Sequence, residues 1–478
     1  MALETWPQEG MSHTLGASGT SDTPGRPTRR LVLGTLAALA SSLGAGALAA
    51  CAAPSTAEPG QSGATQGKVV ELRVHGQATS DGEGYDKSVA AFNERYAGRY
   101  RAVHEQITGN LYQVQEANFA AGTAADLHYA HTSNMKYHEY SVKGIALVLD
   151  PFVSRDKAFR LTDWPPKAID VIKTVDGKIY GLPVRGQVSW QFLYWNRDML
   201  RRAGIPEPTP NWTLDELVMH ARRLQQPGNS EFYPVAYSWG SFETAVGNVR
   251  RFGGEFFEPG SGPGRKCVMD SAPCVQAIRW FYEQIKAGLF APRSYGPAQF
   301  GQGKCAFVLG HLAGQRATVK NNGGDNFEWT FDIVPKGPTG RRGGFLSIDM
   351  QQIWANTRSK DGSWELLKWM TGRQAGINLA LQPTGSLTPG YRKDVYCSDE
   401  LLNDPRFPKS AMKANCDNID QPETFTYPHN LRLAVPGGVN EIVARYLNDV
   451  ADLKQEPTPS YLKEMTAEIQ NVLELPRL

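Results

Sequence analysis

The stretch from residue 68 to residue 131 alternates strand-like and helical segments. "VVELRVHG" and "YRAVHEQI" alternate in the manner of strands, and "ADLHYAH" follows the helical segment "VQEANFAAGT". The first helix is indicated by Tyr85, Val89, Phe92 and Tyr96, which share one helical face. A β-α-β-α-β order predicts a largely parallel sheet with helices on its faces, and therefore an α/β fold.

The rest of the chain continues this mixture. "SWQFLYWN", "KCAFVLG" and "WTFDIVP" are typical of strands. Thr213 and Glu216 form a capping box in "NWTLDELVMHARRLQQPG", and Pro227-Gly228 ends that helix. "SWELLKWMTG", "AGINLALQ", "VNEIVARYLNDV" and "SYLKEMTAEIQNVLEL" predict further helices. The 478 residues are enough for about two or three domain-sized cores.

An apolar segment near the N-terminus, "TRRLVLGTLAALASSLGAGALAAC", ends on Cys51. It is almost long enough to span a bilayer, but the small residues before the cysteine suit a signal peptidase. The segment resembles a bacterial lipobox behind a twin-arginine export motif. We therefore expect residues 1–51 to be an export signal, Cys51 to be lipidated and residues 52–67 to form a flexible tether. An uncleaved anchor is the alternative, and Met11 is a second candidate start.

Charge and motifs exclude several classes of function. The formal net charge is only +2 and no basic stripe with interleaved aromatic residues occurs, which argues against nucleic acid as a partner. No Walker A, GxSxG or HExxH motif is present, so neither a cofactor nor a catalytic centre is expected. His128-x-x-His131, with His138 beyond, has some likeness to a metal site. On a strand end that spacing does not place both rings on one face, so no metal site is predicted.

Five cysteines follow Cys51, and an exported chain permits disulfides. Two pairs are close in sequence and lie in surroundings rich in Gly, Pro and Asp. The spacing predicts the disulfides Cys397–Cys416 and Cys267–Cys274. Cys305 lies in the apolar stretch "CAFVLG" and is expected to be a buried free thiol.

Longer stretches resemble the family 1 extracellular solute-binding proteins of bacterial ABC importers, the group that contains maltose-binding protein. The most specific match is "GKIYGLPVRGQVSWQFLYWNRDMLRRAGI", in which Trp195-Asn196-Arg197-Asp198 stands where the family has Tyr-Asn-Lys-Asp. "AAFNERYAGRY", "NFAAGTAADLHYAH", "FGQGKCAFVLGH" and "QPTGSLTPGYRKDV" also occur in the family's order. The resemblance implies a two-lobed α/β periplasmic-binding-protein type II fold, with hinge crossings and a ligand cleft between the lobes.

The resemblance also implies where the lobes begin and end. Lobe one would comprise residues 68–185 plus 340–392, and lobe two residues 188–335 plus 396–478. Three crossing segments follow from this division: Pro183 to Val188, near Lys336 to Gly343, and near Thr388 to Val395. Crossings flanked by Pro and Gly suit hinges, and loops at the carboxyl ends of parallel strands face the cleft.

A sugar site needs aromatic platforms and planar hydrogen-bonding side chains. In the loops that the resemblance places at the cleft, Trp239 and Trp190 are candidate stacking platforms and Arg185 is the candidate charged clamp. The other candidates are polar or aromatic residues at strand and helix ends: His75, Gln77, Tyr129, His131, Glu243, His311, Phe345 and Asp349. Each of these residues could instead pack in a core or lie in a solvated loop.

The implied function is that of a lipid-anchored receptor subunit on the outer face of the cell membrane. It would bind a mono- or oligosaccharide and deliver it to an ABC permease, as a monomer and without catalysis. Two alternatives stay open. One is a receptor of the same fold for a polyol phosphate, a polyamine or a metal chelate. The other is a secreted carbohydrate-active enzyme, although nothing in the sequence places two catalytic carboxylates together.

Overall fold

Two β-sheets organise the chain. The computed structural model describes residues 68–77, 82–189, 192–237, 241–260, 264–292, 295–311, 316–382, 390–419, 425–426 and 428–475. The strands are β1 (Val70–Gln77), β2 (Tyr100–Ile107), β3 (Leu127–His131), β4 (Leu182–Ser189), β5 (Phe192–Asn196), β6 (Val235–Tyr237), β7 (Phe307–His311), β8 (Trp329–Ile333), β9 (Phe345–Ile353) and β10 (Phe425–Thr426).

Helices cover both sheets. They are α1 (Gly82–Arg95), α2 (Leu111–Ala121), α3 (Lys136–Val142), α4 (Asp150–Arg155), α5 (Pro166–Ile172), α6 (Arg197–Arg202), α7 (Leu214–Leu224), α8 (Phe242–Arg251), α9 (Ala272–Lys286), α10 (Pro297–Gly301), α11 (Arg316–Asn321), α12 (Lys360–Met370), α13 (Arg373–Ala380), α14 (Lys393–Tyr396), α15 (Asp399–Leu402), α16 (Lys409–Asn418), α17 (Val439–Ala451) and α18 (Pro459–Glu474). No helix in these ranges is both long and apolar enough to cross a membrane.

The first sheet has the strand order β10-β9-β3-β1-β2, and β4 pairs with the opposite edge of β9. β1 is parallel to β2 and β3, whereas β3 and β4 are antiparallel to β9. This register places Asp349 of β9 opposite His131 on one side and opposite Arg185 on the other. The predicted parallel β-α-β-α-β unit is therefore confirmed, and an antiparallel pair completes the sheet.

The second sheet has the order β6-β7-β5-β8. β6 and β7 are parallel, and β5 runs antiparallel to both β7 and β8. Phe192, at the start of β5, therefore lies opposite His311 and Ile333, at the ends of β7 and β8. The ends of three strands and the start of a fourth thus share one edge of this sheet.

The chain crosses between the two sheets at one edge of each sheet. β4 leaves the first sheet at Ser189, and β5 enters the second at Phe192. Three peptide steps span at most about 11 Å, so these two strand ends are close together. The chain leaves the second sheet after Ile333 and re-enters the first at Phe345. We call these two edges the crossing edges.

Each sheet has its own hydrophobic core. The first contains Val74, Leu127 and Ile348, and the second contains Leu193, Val246 and residues of α9, α17 and α18. In a third cluster, α15 and α16 pack against β5, β7 and β8. β10 pairs with β9 of the first sheet, although the sequence-based boundaries assign all of residues 396–478 to lobe two. The lobe boundaries stay a prediction.

Local signals in the sequence explain where several elements begin and end. The Thr213–Glu216 capping box is present, because the Thr213 hydroxyl accepts the Glu216 N–H and the Glu216 carboxylate accepts the Thr213 N–H. Asn110 caps α2 in the same way, accepting the N–H groups of Tyr112 and Gln113. α2 ends at Gly122, whose φ of 69° suits glycine.

The structure joins Cys397 to Cys416 in a disulfide, as the sequence predicts. The predicted Cys267–Cys274 disulfide is wrong, since both residues are buried free thiols. Cys274 Sγ instead lies 3.3 Å from the Glu255 carbonyl oxygen, and Cys267 is held in an extended pair with Phe257. Burial raises the pKa of the Cys274 thiol to about 11, so it stays protonated at neutral pH. Cys305 is a buried free thiol, as expected.

Candidate ligand site

The crossing edge of the first sheet includes a switch point between β1 and β3. The connection that leaves β1 leads to β2 on one side, whereas the chain that leaves β3 continues towards β4 and β9 on the other. In open α/β sheets, ligands bind in the crevice outside such a switch point. β1 and β3 pair only at Val74 and Leu127. Beyond that pair, the buried Gln115 side chain bonds to the backbone of β3. Its amide group donates to the Tyr129 carbonyl at 2.8 Å and accepts the Tyr129 N–H at 3.0 Å.

Arg185, Asp349 and Tyr129 form a buried cluster beside this crevice. The Arg185 guanidinium pairs with the Asp349 carboxylate and also donates to the Tyr129 hydroxyl at 2.8 Å. Burial would raise the pKa of Asp349, but the charges of Arg185 and His131 outweigh it and hold that pKa well below its usual range. Because Asp349 already neutralises Arg185, the main role of this arginine is to hold the cluster together. Its role as a clamp for an anionic ligand stays a prediction.

His131 extends the cluster towards solvent. Its Nδ1 accepts the Ser133 backbone N–H at 2.9 Å, so the ring carries its proton on Nε2. Nε2 lies 2.8 Å from Asp349 Oδ1 and 3.1 Å from Ser347 Oγ. The His131 side chain keeps 23% of its surface exposed, whereas Asp349 keeps 10%. His131 is therefore the more accessible member of this charge-balanced group.

His75, at the carboxyl end of β1, is only 1% exposed. Its Nε2 donates to Glu105 at 3.0 Å, and Glu105 also accepts two hydrogen bonds from Arg73. Burial lowers the pKa of His75, so the ring is neutral at physiological pH. His75 thus contributes mainly to the wall of the crevice. The backbone of Gln77 ends the same strand, and its side chain is not described.

On the second sheet, the backbone of His311 ends β7 at the crossing edge. Glu243 lies in the first turn of α8 and is half-buried. Phe345 begins β9 in the first sheet and pairs through its backbone with Ser189. The structure therefore brings Tyr129, His131, Arg185 and Asp349 into contact.

The two candidate stacking platforms, Trp190 and Trp239, lie outside the described residues, as does Cys51. The neighbouring strand ends are described. Ser189 ends β4 immediately before Trp190, and Tyr237 ends β6 two residues before Trp239. Both strand ends belong to the crossing edges. The assignment of these tryptophans as ligand contacts stays a prediction.

The histidines with metal-like spacing are separated by the structure. His128 is fully buried and packs edge-on against Phe119 and Tyr140, away from His131. Burial lowers its pKa to about 3. Within the described ranges, no group of three or more His, Cys, Asp or Glu side chains could hold a metal ion.

A surface cavity of about 300 Å³ lies elsewhere, beside the outer edge of β8. Aromatic side chains of β8 line it, together with Arg197, Lys320 and Arg406. These three cations are paired with Glu207, Asp325 and Asp404, respectively. The cavity is remote from the switch point, so the crossing edges are the better candidate for the ligand site.

Sequence reasoning missed Gln115 and Gln351, which build the wall of the crevice. Gln351 is fully buried and donates to the His75 carbonyl at 3.1 Å and to the Tyr85 hydroxyl at 2.8 Å. The signal in the sequence was the glutamine side chain itself. A glutamine among apolar strand residues needs hydrogen-bond partners when it is buried. Its partners are distant in sequence, so the pattern alone could not name them.

Residues 75–377 match the sequence model of the family described as bacterial extracellular solute-binding protein. The chain belongs to this family. The family description implies that its members are exported. A curated relative from Brucella abortus (strain 2308), named only for binding, is 27% identical over 271 residues, which are 54% of this chain and 61% of the relative. The match thus covers about three fifths of the relative's length.

Solved structures confirm the two-lobed fold of this solute-binding protein. An ABC substrate-binding protein from Listeria monocytogenes, in complex with cycloalternan, matches with a TM-score of 0.69 and 16% identity over 86% of this chain and 100% of that one. UgpB from Mycobacterium tuberculosis, in complex with glycerophosphocholine, matches with a TM-score of 0.68 and 15% identity over 84% and 98% of the two chains. At such identities the likeness shows the fold alone.

Proposed function

We propose that this protein is the lipid-anchored substrate-binding subunit of an ABC importer and that its solute is a carbohydrate. The observation that carries the proposal is the cluster of Tyr129, Arg185, Asp349 and His131 beside the switch point between β1 and β3. Tyr129 is 1% exposed within this cluster, and His131, with 23% of its side chain exposed, is the member that a ligand at the crossing edge can reach. Planar polar groups of this kind suit a ring of sugar hydroxyls.

The charge balance of the cluster favours a neutral solute. The Arg185 guanidinium is paired with the Asp349 carboxylate, so neither charge is left for a ligand to neutralise. A polyhydroxylated neutral ligand would exchange its water hydrogen bonds for such groups without leaving a charge buried. Trp190 and Trp239 would supply the stacking surfaces for the apolar faces of the sugar.

We propose capture by lobe closure as the mechanism. The ligand would bind to one lobe first and gain further contacts when the second closes over it. Closure is favoured only by the contacts that exist in the closed form and not in the open one. The glycines before Phe345 are suitable hinges, since Gly343 and Gly344 have φ values of 67° and 116°.

A non-sugar solute is the second candidate, and the complex of UgpB with glycerophosphocholine supports it at the level of the fold. A phosphate-bearing solute would need a basic side chain in the site whose charge is not already neutralised by a carboxylate. A role as an enzyme is less well supported, because the family and the structural relatives are named for binding.

A thermal-shift screen of the mature chain tests the proposal. The panel contains neutral mono- and oligosaccharides, polyols, glycerol phosphodiesters and polyamines. Ligand at about 100 times its dissociation constant stabilises the folded state by about 2.7 kcal/mol, so a true ligand raises the melting temperature measurably. We expect the shift with a neutral carbohydrate. A shift with glycerol phosphodiesters alone would favour the second candidate.

A further inference from the structure

Two histidines stack where the chain passes from the first sheet to the second core. His138 lies on α3, and His429 lies between β10 and the 3₁₀ turn Leu431–Leu433. Their ring centroids are 4.2 Å apart, with a tilt of 40°. His138 is 2% exposed, and neither of its ring nitrogens has a hydrogen-bond partner in the described part of the chain. A buried imidazole without partners needs an explanation.

The residues around His429 contact both sides of the molecule. The His429 ring donates to the Val171 carbonyl of α5, which packs in the first core. One residue later, Asn430 donates to the Gly264 carbonyl at 3.3 Å, and Leu433 is buried in the second core. We call residues 428–433 the C-terminal link. The His138–His429 stack thus fastens this link to the first sheet's helices, while its other end is held by the second core.

In the described part of the chain, no carboxylate is among the influences on the pKa of either ring. The charged residues on the surrounding elements are Lys136, Glu139, Lys143, Lys167, Asp170 and Arg432. Burial and the neighbouring His429 are the influences on His138, and together they lower its pKa to about 3. Burial also lowers the pKa of His429, against the hydrogen bond to Val171. Burial therefore favours the neutral form of both rings while they are in contact.

We propose that the His138–His429 stack is an acid-sensitive clasp, which holds the C-terminal link against α3 at neutral pH and releases it in acid. A positive charge on either ring is disfavoured by burial at this site, so protonation would favour separation of the rings. Release would free the link from the first sheet's helices while Leu433 stays in the second core. An exported protein meets the external pH directly, so the clasp would couple lobe motion to acidity.

The sign of the effect follows from proton linkage. An imidazole has a pKa of about 6.5 when unfolded or exposed, whereas His138 is held near 3 when stacked. Between these values the released form binds more protons than the stacked form. The stacked form therefore loses stability as the pH falls below about 6.5, and it keeps its full stability above that value.

Hydrogen exchange followed by mass spectrometry tests the clasp on the unliganded mature chain. Exchange of the 428–433 amides is measured at about pH 7.5 and about pH 5 and corrected for intrinsic rates. In the unmodified protein we expect the corrected exchange to rise roughly tenfold or more at the lower pH, since one pKa unit is a tenfold change in equilibrium. His138→Phe and His429→Phe keep an aromatic contact that cannot be protonated, so in each the rise should shrink.

A matched control is His220→Phe. His220 is also buried with a lowered pKa, and it stacks on Trp212 at 4.8 Å within the second core region. This variant should keep the rise at residues 428–433. The proposal is overturned if the unmodified protein shows no acid-induced rise, or if His138→Phe and His429→Phe leave the rise unchanged. NMR titration of the unmodified protein is a check that needs no variant: if His138 titrates near pH 6.5 while the link stays protected, the clasp does not exist.

Discussion

His131 and Asp349 are cross-strand partners in the first sheet, with the His131 Nε2 atom 2.8 Å from Asp349 Oδ1. The same carboxylate pairs with Arg185 on the other side of β9. One buried acid therefore organises a basic residue from each neighbouring strand. The candidate site depends on the register of three strands, and it should respond to changes at Asp349 more than at either partner.

Asp349→Asn should lower the free energy of unfolding by about 3–5 kcal/mol, because it leaves the buried Arg185 charge without a counter-ion. Urea denaturation measures this loss. Asp361→Asn is the matched control, since Asp361 pairs with Arg155 at an exposed site and should cost less than about 1 kcal/mol. Equal losses in the two variants would contradict the account of a buried organising pair.

The Asp349 carboxylate should also make the stability of the protein depend on pH. The pKa of Asp349 is held well below the unfolded value of about 3.9, chiefly by Arg185 against the effect of burial. Its contribution to stability is therefore complete above about pH 4 and is lost as the pH falls towards the folded-state pKa. The difference in unfolding free energy between the unmodified protein and Asp349→Asn should shrink between about pH 7 and about pH 3. A constant difference would show that the carboxylate charge is not the cause.

Replacing both Cys397 and Cys416 by Ser should cost roughly 3 kcal/mol, the chain-entropy value for a loop of this length, with the residues 19 apart in sequence. Reductant should lower the melting temperature of the unmodified protein and leave that of the double variant unchanged. Peptide mapping without reductant should find Cys267 and Cys274 alkylated only after unfolding, because both thiols are buried. Alkylation of Cys397 and Cys416 in the folded exported protein would contradict the assignment.

Trp239→Ala should weaken carbohydrate binding by about 1–3 kcal/mol if this residue stacks on the sugar, with little change in unliganded melting. Trp212→Ala is the control. Trp212 is 6% exposed in the second core, so its loss should lower melting. Calorimetric titration and thermal unfolding separate the two effects. A large stability loss with unchanged affinity in Trp239→Ala would identify Trp239 as a core residue.

Cys51→Ala should abolish lipid attachment, and Arg29→Lys with Arg30→Lys should leave precursor in the cytoplasm, because the export machinery reads the arginine pair. Labelling with radioactive palmitate measures lipid attachment, and membrane fractionation measures how much precursor stays in the cytoplasm. Cys305→Ala is the control and should label normally. Undiminished labelling of Cys51→Ala would exclude the lipobox.

Local signals in the sequence were sufficient for most elements. The alternation in "VVELRVHG" corresponds to β1, "WTFDIVP" to β8, and the Thr213–Glu216 box to the start of α7. These features depend on neighbours along the chain. Contacts between residues far apart in the sequence could not be predicted from local signals. The contact of Arg185 with Asp349, 164 residues away, was therefore found only in the structure.

The cysteines show the same limit of sequence-based prediction, in this case through a disulfide that was predicted but does not form. Cys397–Cys416 and Cys267–Cys274 are each close in sequence and lie in similar surroundings rich in Gly, Pro and Asp. The first pair is bonded, whereas Cys274 begins α9 with its sulfur directed at the Glu255 carbonyl. Spacing is necessary for a short-range disulfide, but the direction of the side chains decides whether it forms.

Isothermal titration of the mature, unlipidated chain with the carbohydrate selected by the thermal-shift screen tests the central claim most directly. The account predicts a single site with 1:1 stoichiometry, recovery of the sugar unchanged, and loss of affinity in Trp239→Ala. Binding of a glycerol phosphodiester or a polyamine with no response to any neutral carbohydrate, or hydrolysis of the sugar during the titration, would contradict it.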